Sequence, residues 1–242
     1  VQVTVARGDA TSFAATLKRR VATNPPRVTH RVLPSGLGYI RLTAWQQSLQ
    51  GRMVEAIEAL RDTPGLVIDL RGNPGGQMWA MTAIGGLLYD KTTSLGTMKT
   101  ADGSLRLTVL PRRVANDGTP LRRLRGPVAV LIDRGSASSS EIFTAGLQAT
   151  GRARVFGETS AGMALPAITV HLPSGDWLYY PTADMTDPDG RRIEGLGVVP
   201  DVPIAPTVAS LYAGKDPALA QALAWVASEA SGPVTTTTGG TH

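Results

Sequence analysis

The sequence contains no cysteine. That excludes a disulfide framework, a thiol nucleophile and any cysteine-ligated metal, and it fits an oxidising compartment. Histidine is scarce: His30, His171 and His242 are the only three. No two of them have the H-x-x-x-H spacing of a metal hydrolase, so no metal is expected. No apolar run reaches the length of about 18 residues that a membrane-spanning helix needs, so this chain carries no transmembrane segment. Aromatic residues make up only 5%. The net charge of +5 comes from scattered arginines, such as Arg19–Arg20, Arg112–Arg113 and Arg191–Arg192. A nucleic-acid surface would concentrate them in a stripe with aromatic platforms, so no nucleic-acid partner is expected. A starting methionine and a signal peptide are also missing. The chain begins VQVTVARGD and reads as a processed protein or a fragment.

What is present is an alternation of apolar runs and helical periods. VQVTVARGD alternates like a strand and ends in a turn, and SFAATLKRRV reads as a strand or short helix. TNPPRVTHRVLPSG is linker-like. From Leu37 the pattern changes. LGYIRL is a strand, and Leu49, Met53, Ile57 and Leu60 have close to helical spacing. PGLVIDLRGNPGG and GPVAVLIDRGSASSSE each run from a continuous apolar strand into a small-residue turn and then a helix. RARVFGE is a third short strand. AITVHLPSGDWLYYP reads as a hairpin turning at Ser174–Gly175, with Trp177, Tyr179 and Tyr180 as core or sheet surface. GLGVVPDVPIAPT is extended, and DPALAQALAWVASEA is an amphipathic helix. Near-continuous apolar strands alternating with helices argue an α/β fold with a mostly parallel sheet covered on both faces. Ligands in such sheets sit beyond the carboxyl ends of the strands, where both small-residue turns lie.

Those turns carry the candidate chemistry. RGNPGG, Arg71 to Gly76, is neither a dinucleotide fingerprint nor a P-loop, and no cofactor is expected. Its glycines suit a backbone N–H cradle or simply a tight strand-to-helix turn. In SASSSE, Ser138 stands three residues before Glu141, the spacing of a capping box. It also stands at a helix mouth, where free N–H groups stabilise a developing oxyanion. The residues alone leave cap and nucleophile both open. GSASS lacks the second glycine of a G-x-S-x-G elbow, so an α/β-hydrolase is a poor match. Asp69 ends an apolar strand and needs a partner such as Arg71, and Asp133 is expected to close a strand end.

GYIRL, LVIDLRGNPGG, VAVLIDRGSASSSEIFTAGLQATGRARVFGETSAG and RRIEGLGVVPDVPI occur in the order found in the carboxy-terminal processing and tricorn-like serine peptidases. The sequence resembles that family over about residues 37 to 230. The resemblance implies a ClpP/crotonase-like core of βαβ units at 37–230. A remnant of a PDZ-like domain at 1–20, a linker at 21–36 and a disordered tail at 231–242 complete the implied organisation. It makes Ser138 the nucleophile, and it puts the oxyanion on N–H groups of Ser139 and of Gly75 or Gly76. One branch of the family supplies a lysine 25 residues after the nucleophile, where this chain has Met163. A thioether accepts no proton from a serine. The other branch uses an upstream histidine with a late glutamate, which Glu194 resembles. The implied base then comes from a region upstream of this chain, and His30 is the one local candidate. The implied function is a serine endopeptidase acting on peptides or unfolded proteins through an acyl-enzyme, periplasmic or secreted. The alternatives are a catalytically inactive peptide-binding module and a crotonase-type acyl-CoA enzyme.

Overall fold

The computed structural model describes residues 1–6, 11–18, 25–114, 118–121 and 124–231. The strands β1 (Gln2–Ala6) and β2 (Ser12–Thr16) form an exposed antiparallel hairpin. The turn expected between them lies outside the described residues. There follow β3 (Val28–Val32), β4 (Gly38–Leu42), α1 (Gln50–Leu60), β5 (Leu66–Asp69) and α2 (Met78–Gly85). An antiparallel pair, β6 (Thr93–Thr100) and β7 (Gly103–Val109), precedes β8 (Val128–Ile132), α3 (Ser139–Ala149) and β9 (Arg154–Gly157). The hairpin β10 (Ala167–His171) and β11 (Trp177–Pro181) comes next, then β12 (Asp184–Thr186) and β13 (Val202–Pro203). The chain closes with α4 (Val208–Tyr212) and α5 (Pro217–Ser231). Residues 232–242, most of the stretch read as a tail, lie outside the described residues.

The main sheet has six strands in the order β13-β9-β8-β5-β4-β3, all parallel except the edge strand β3. Residues 28–32, within the stretch read as a linker, supply that edge. Alternation along the strands explains the two cores. Ile40, Leu66, Ile68, Val128, Val130 and Val155 face one side, with buried residues of α1, α2 and α3. Tyr39, Val67, Ala129, Leu131 and Phe156 face the other, against Ala218, Ala222 and Val226 of α5. Strands buried on both faces must be apolar throughout, which is why the sequence shows runs there and not alternation.

The expected ClpP/crotonase-like core of stacked βαβ units is corrected. Only β4-α1-β5 and β8-α3-β9 are simple units of that kind. Between β5 and β8 the chain leaves the sheet to build β6 and β7, which pair with β12 in a separate antiparallel sheet. Between β9 and β13 it builds the β10–β11 hairpin. The two-residue turn Ala101–Asp102, followed by Gly103 at the start of β7, closes the β6–β7 hairpin, and that signal was present in the sequence.

One charged cluster ties α5 to the sheet. Asp69, fully buried at the end of β5, accepts Tyr39 OH at 2.7 Å, Arg41 Nη1 at 3.0 Å and Arg71 Nη2 at 2.7 Å. Arg71 also donates to Asp216 Oδ1 at 3.0 Å, and Asp216 in turn accepts the Leu219 N–H of α5. Burial works against the Asp69 carboxylate, but the Arg71 and Tyr39 hydrogen bonds outweigh it and hold its pKa below the usual range. Asp216 is lowered in the same way, its burial overcome by Arg71 and the Leu219 N–H. Burial, then the charge of Asp69, pushes Tyr39 up to about 12.

Both carboxylates have folded pKa values below their unfolded values of about 3.9. Their stabilisation is therefore complete above about pH 4 and is lost as pH falls through the folded values. Asp69→Asn should cost about 1–3 kcal/mol, because it leaves the partly buried Arg71 and the more exposed Arg41 facing a neutral group. Thermal unfolding followed from pH 7 to pH 2 checks this. The variant should unfold at lower temperature at neutral pH and lose less than the wild type on acidification.

Candidate active site

The parallel pairing of β5 with β8 brings their two following turns side by side. Asp133 joins them at the base, its Oδ1 accepting Gly72 N–H at 2.8 Å and Gly135 N–H at 2.9 Å. Asn73 joins them higher up. Its buried amide donates to Leu42 O at 3.0 Å and accepts Gly75 N–H at 3.0 Å, while its own carbonyl accepts Ala137 N–H at 3.0 Å and Ser140 Oγ at 3.1 Å. Neither Asn73 nor Trp45, whose Nε1 donates to Ser140 Oγ at 2.9 Å, was singled out from the sequence. An asparagine next to proline and glycine is a turn signal, but its partners lie on other strands.

Three of the four clustered serines spend their hydroxyl protons on the scaffold. Ser136 Oγ donates to Leu70 O at 2.9 Å, Ser139 Oγ to Gly76 O at 2.9 Å and Ser140 Oγ to Asn73 O at 3.1 Å. The Ser138 hydroxyl donates to no acceptor among the described residues. Ser138 is half-buried, with φ 54° and ψ −121°, the one non-glycine residue of positive φ among those described. Glu141 Oε2 accepts Ser138 N–H at 2.9 Å, the reciprocal half of a capping box, while Glu141 N–H bonds the Ser138 carbonyl at 2.8 Å and not the hydroxyl. Helix cap and free hydroxyl thus coexist in one residue.

Glu141 does more than cap its helix. It is fully buried and accepts four hydrogen bonds: Ser160 Oγ at 2.6 Å, Gly162 N–H at 2.7 Å, Met163 N–H at 2.9 Å and the Ser138 N–H. Ser138 N–H also reaches Met163 O at 2.9 Å. Met163 therefore lies beside Ser138 through its backbone, while the residue is 65% exposed. Glu194 does not touch Ser138. Its Oε2 accepts Ala164 N–H at 2.6 Å and Leu165 N–H at 3.2 Å, so it holds the residues directly after Met163.

The glycine turn abuts the serine. A Cβ on Gly75 would lie 2.6 Å from Ser138 Cβ, and its φ of +98° disfavours any side chain. Gly75 N–H is engaged by Asn73. Gly75 O accepts Trp45 N–H at 3.0 Å, so in a trans peptide the Gly76 N–H points the opposite way, away from Trp45. Gly76 N–H and Ser139 N–H, the latter in the first turn of α3, have no acceptor among the described residues. His30 sits mid-strand in β3, exposed and opposite Ile40. Three strand steps separate β3 from β8, about 14 Å across the sheet. The structure thus groups Ser138, Ser139, Gly75 and Gly76, with Glu194 one segment away and His30 apart.

The fold is similar to that of a photosystem II D1 C-terminal processing protease, with a TM-score of 0.62 and 26% identity, covering 81% of this chain and 52% of that one. It also resembles the tricorn protease in fold, with a TM-score of 0.59 and 20% identity, over 81% of this chain and 18% of that one. These likenesses replace the expected ClpP/crotonase-like core with the fold of the processing peptidases. In sequence the chain is 30% identical over 216 residues to the chloroplastic carboxyl-terminal-processing peptidase 2 of Arabidopsis thaliana, covering 84% of this chain and 40% of that protein. The chain thus spans two fifths of that relative's length. Residues 36–204 match the family described as peptidase family S41, and the chain belongs to it.

Proposed function

We propose that this chain is the catalytic region of a serine endopeptidase that cleaves peptides or unfolded proteins through an acyl-enzyme on Ser138. The observation that carries the proposal is the free hydroxyl of Ser138, alone among four clustered serines, on a strained backbone beside two unpaired N–H groups. Ser138 Oγ attacks the scissile carbonyl, its proton passes to a base and then to the leaving amine, and the C–N bond breaks. Water repeats the sequence on the acyl-enzyme and restores the serine. Gly76 N–H and Ser139 N–H hold the oxyanion, and Gly75 shapes the turn that presents them. Glu194 orients the machinery through Ala164 and Leu165. The base is a histidine from a region upstream of this chain, as in the non-lysine branch of the family. The hairpin β1–β2 is read as the end of a PDZ-like domain. Kinship with a chloroplastic processing peptidase supports a periplasmic or secreted location. Among the described residues, no helix is long and apolar enough to cross a membrane.

A second reading, a peptide-binding module without turnover, is favoured by one observation: among the described residues no histidine or lysine side chain hydrogen-bonds Ser138, and the Met163 backbone stands beside it.

In the full-length protein, Ser138→Ala should lower kcat on the order of a million-fold. Alanine at 139 removes one scaffold hydrogen bond, whereas at 136 or 140 it removes two and strands the Asp133 N–H or the Trp45 indole N–H, so these variants should cost about 1–3 kcal/mol of stability instead. Peptide cleavage and thermal unfolding, measured on all four variants, separate the two effects. Wild-type kcat in Ser138→Ala would remove Ser138 from the chemistry.

Met163→Lys in this chain should place an amine beside Ser138 and raise the rate of Ser138 labelling by a fluorophosphonate. That rate should climb with pH as the ammonium loses its proton. A folded variant that labels no faster than the wild type would show that position 163 does not face the serine hydroxyl.

A further inference from the structure

The hairpin β10–β11 stands apart from the rest of the fold. Among the described residues it forms its own two-stranded sheet, and every residue of β11 is exposed. Trp177 is 69% exposed and Tyr179 71% exposed. Two strands alone are marginal in water, and large aromatics left in solvent mark a contact surface. The register shows what that surface offers. Leu172 N–H bonds Asp176 O and Thr182 N–H bonds Pro166 O, both at 2.8 Å. In an antiparallel ladder bonded pairs alternate with non-bonded ones, so Ile168 and Val170 bond across to β11. Ala167, Thr169 and His171 then turn their N–H and C=O groups outward along a free edge. On the same face as these residues stand Trp177 and Tyr179, and Trp177 packs edge-on against His171 with ring centroids 4.8 Å apart.

The place of this edge identifies its occupant. β10 begins four residues after Met163, whose carbonyl accepts the Ser138 N–H. Four extended residues span at most about 14 Å. Glu194 pins the intervening Ala164 and Leu165, so the start of the strand is fixed relative to the serine. A chain laid along this edge is therefore led toward Ser138.

We infer that the outer edge of β10 docks an extended stretch of the peptide substrate as an added strand with alternating apolar side chains, which reach across β10 toward Trp177 and Tyr179 on the same face of the hairpin. Main-chain pairing supplies affinity without sequence demands, and the aromatic face selects apolar residues at alternate positions. Folded proteins do not offer such a strand, which restricts substrates to unfolded or flexible segments. The inference rests on the peptidase function proposed above, and its test is kept separate from turnover.

The test is binding of a fluorescein-labelled unstructured peptide with alternating apolar residues, followed by anisotropy on the wild-type chain. A matched peptide N-methylated at alternate amides cannot pair and should bind at least about tenfold more weakly. Thr169→Pro removes an outward N–H that the hairpin itself does not use, and it should weaken binding of the unmodified peptide to a similar degree. Trp177→Ala with Tyr179→Ala should abolish the preference for apolar over polar alternating peptides. Fluorophosphonate labelling of Ser138 should be unchanged in these variants, so loss of binding with labelling retained locates the defect in docking. Equal binding of the methylated and unmodified peptides would overturn the inference, as would no binding by the wild type. A dimer of the wild-type chain in sedimentation that Thr169→Pro dissolves would also overturn it, assigning the edge to a second copy.

Discussion

The candidate site depends on the hydrogen bonds of one buried asparagine. Asn73 uses both ends of its amide and its own carbonyl to join β4, the glycine turn and the serine turn. The parallel sheet brings the two turns to one edge but does not fix their relative height. Asn73 does that, because its Oδ1 takes the Gly75 N–H and leaves Gly76 N–H as the one facing outward. Aspartate in its place would have no donor for Leu42 O, and alanine would leave a buried carbonyl and N–H unpaired. Each orphaned buried group costs about 1–3 kcal/mol. The geometry of the cradle and the stability of the edge thus rest on the same four contacts.

Ser138 is held in a conformation that costs about 1–3 kcal/mol and persists only where its surroundings over-determine it. Glu141 and the Met163 carbonyl supply that determination by sharing the Ser138 N–H. Glu141 is itself a buried carboxylate with no cation among its four donors. Those four donors satisfy both of its oxygens, so Glu141 and the strained serine hold each other in place. The hydroxyl of Ser138, unlike those of Ser136, Ser139 and Ser140, donates to no acceptor among the described residues.

Much of this was legible in the sequence because it is local. The continuous runs at 66–69 and 128–132 announce strands buried on both faces, and the turns that follow them place the site at one edge. The capping spacing of Ser138 and Glu141 was equally visible. Strand β3 was hidden by the flanking Pro25, Pro26 and Pro34 and by its own polar residues, which suit an edge as well as a linker. The β6–β7 hairpin belongs to a second sheet completed by β12, some ninety residues on, and no local period encodes that pairing. The partners of Asn73, Glu141 and Asp216 were illegible for the same reason: each acts between segments distant in sequence. The order of the four family motifs, not any one pattern, gave Ser138 its chemical reading.

Position 163 shows how such a site tolerates a change of base. The tie to Ser138 runs through the backbone of Met163, by its carbonyl to Ser138 and its N–H to Glu141. The Met163 residue is largely exposed and its side chain carries none of that scaffold. A lysine and a methionine of similar length therefore leave the same hydrogen bonds intact, and exchanging them alters proton transfer without altering the fold. In the proposed assignment, nucleophile and oxyanion cradle are built into the two turns, and the base comes from outside them. A scaffold divided in this way can receive its proton acceptor from a side chain at 163 or from another segment of the protein altogether.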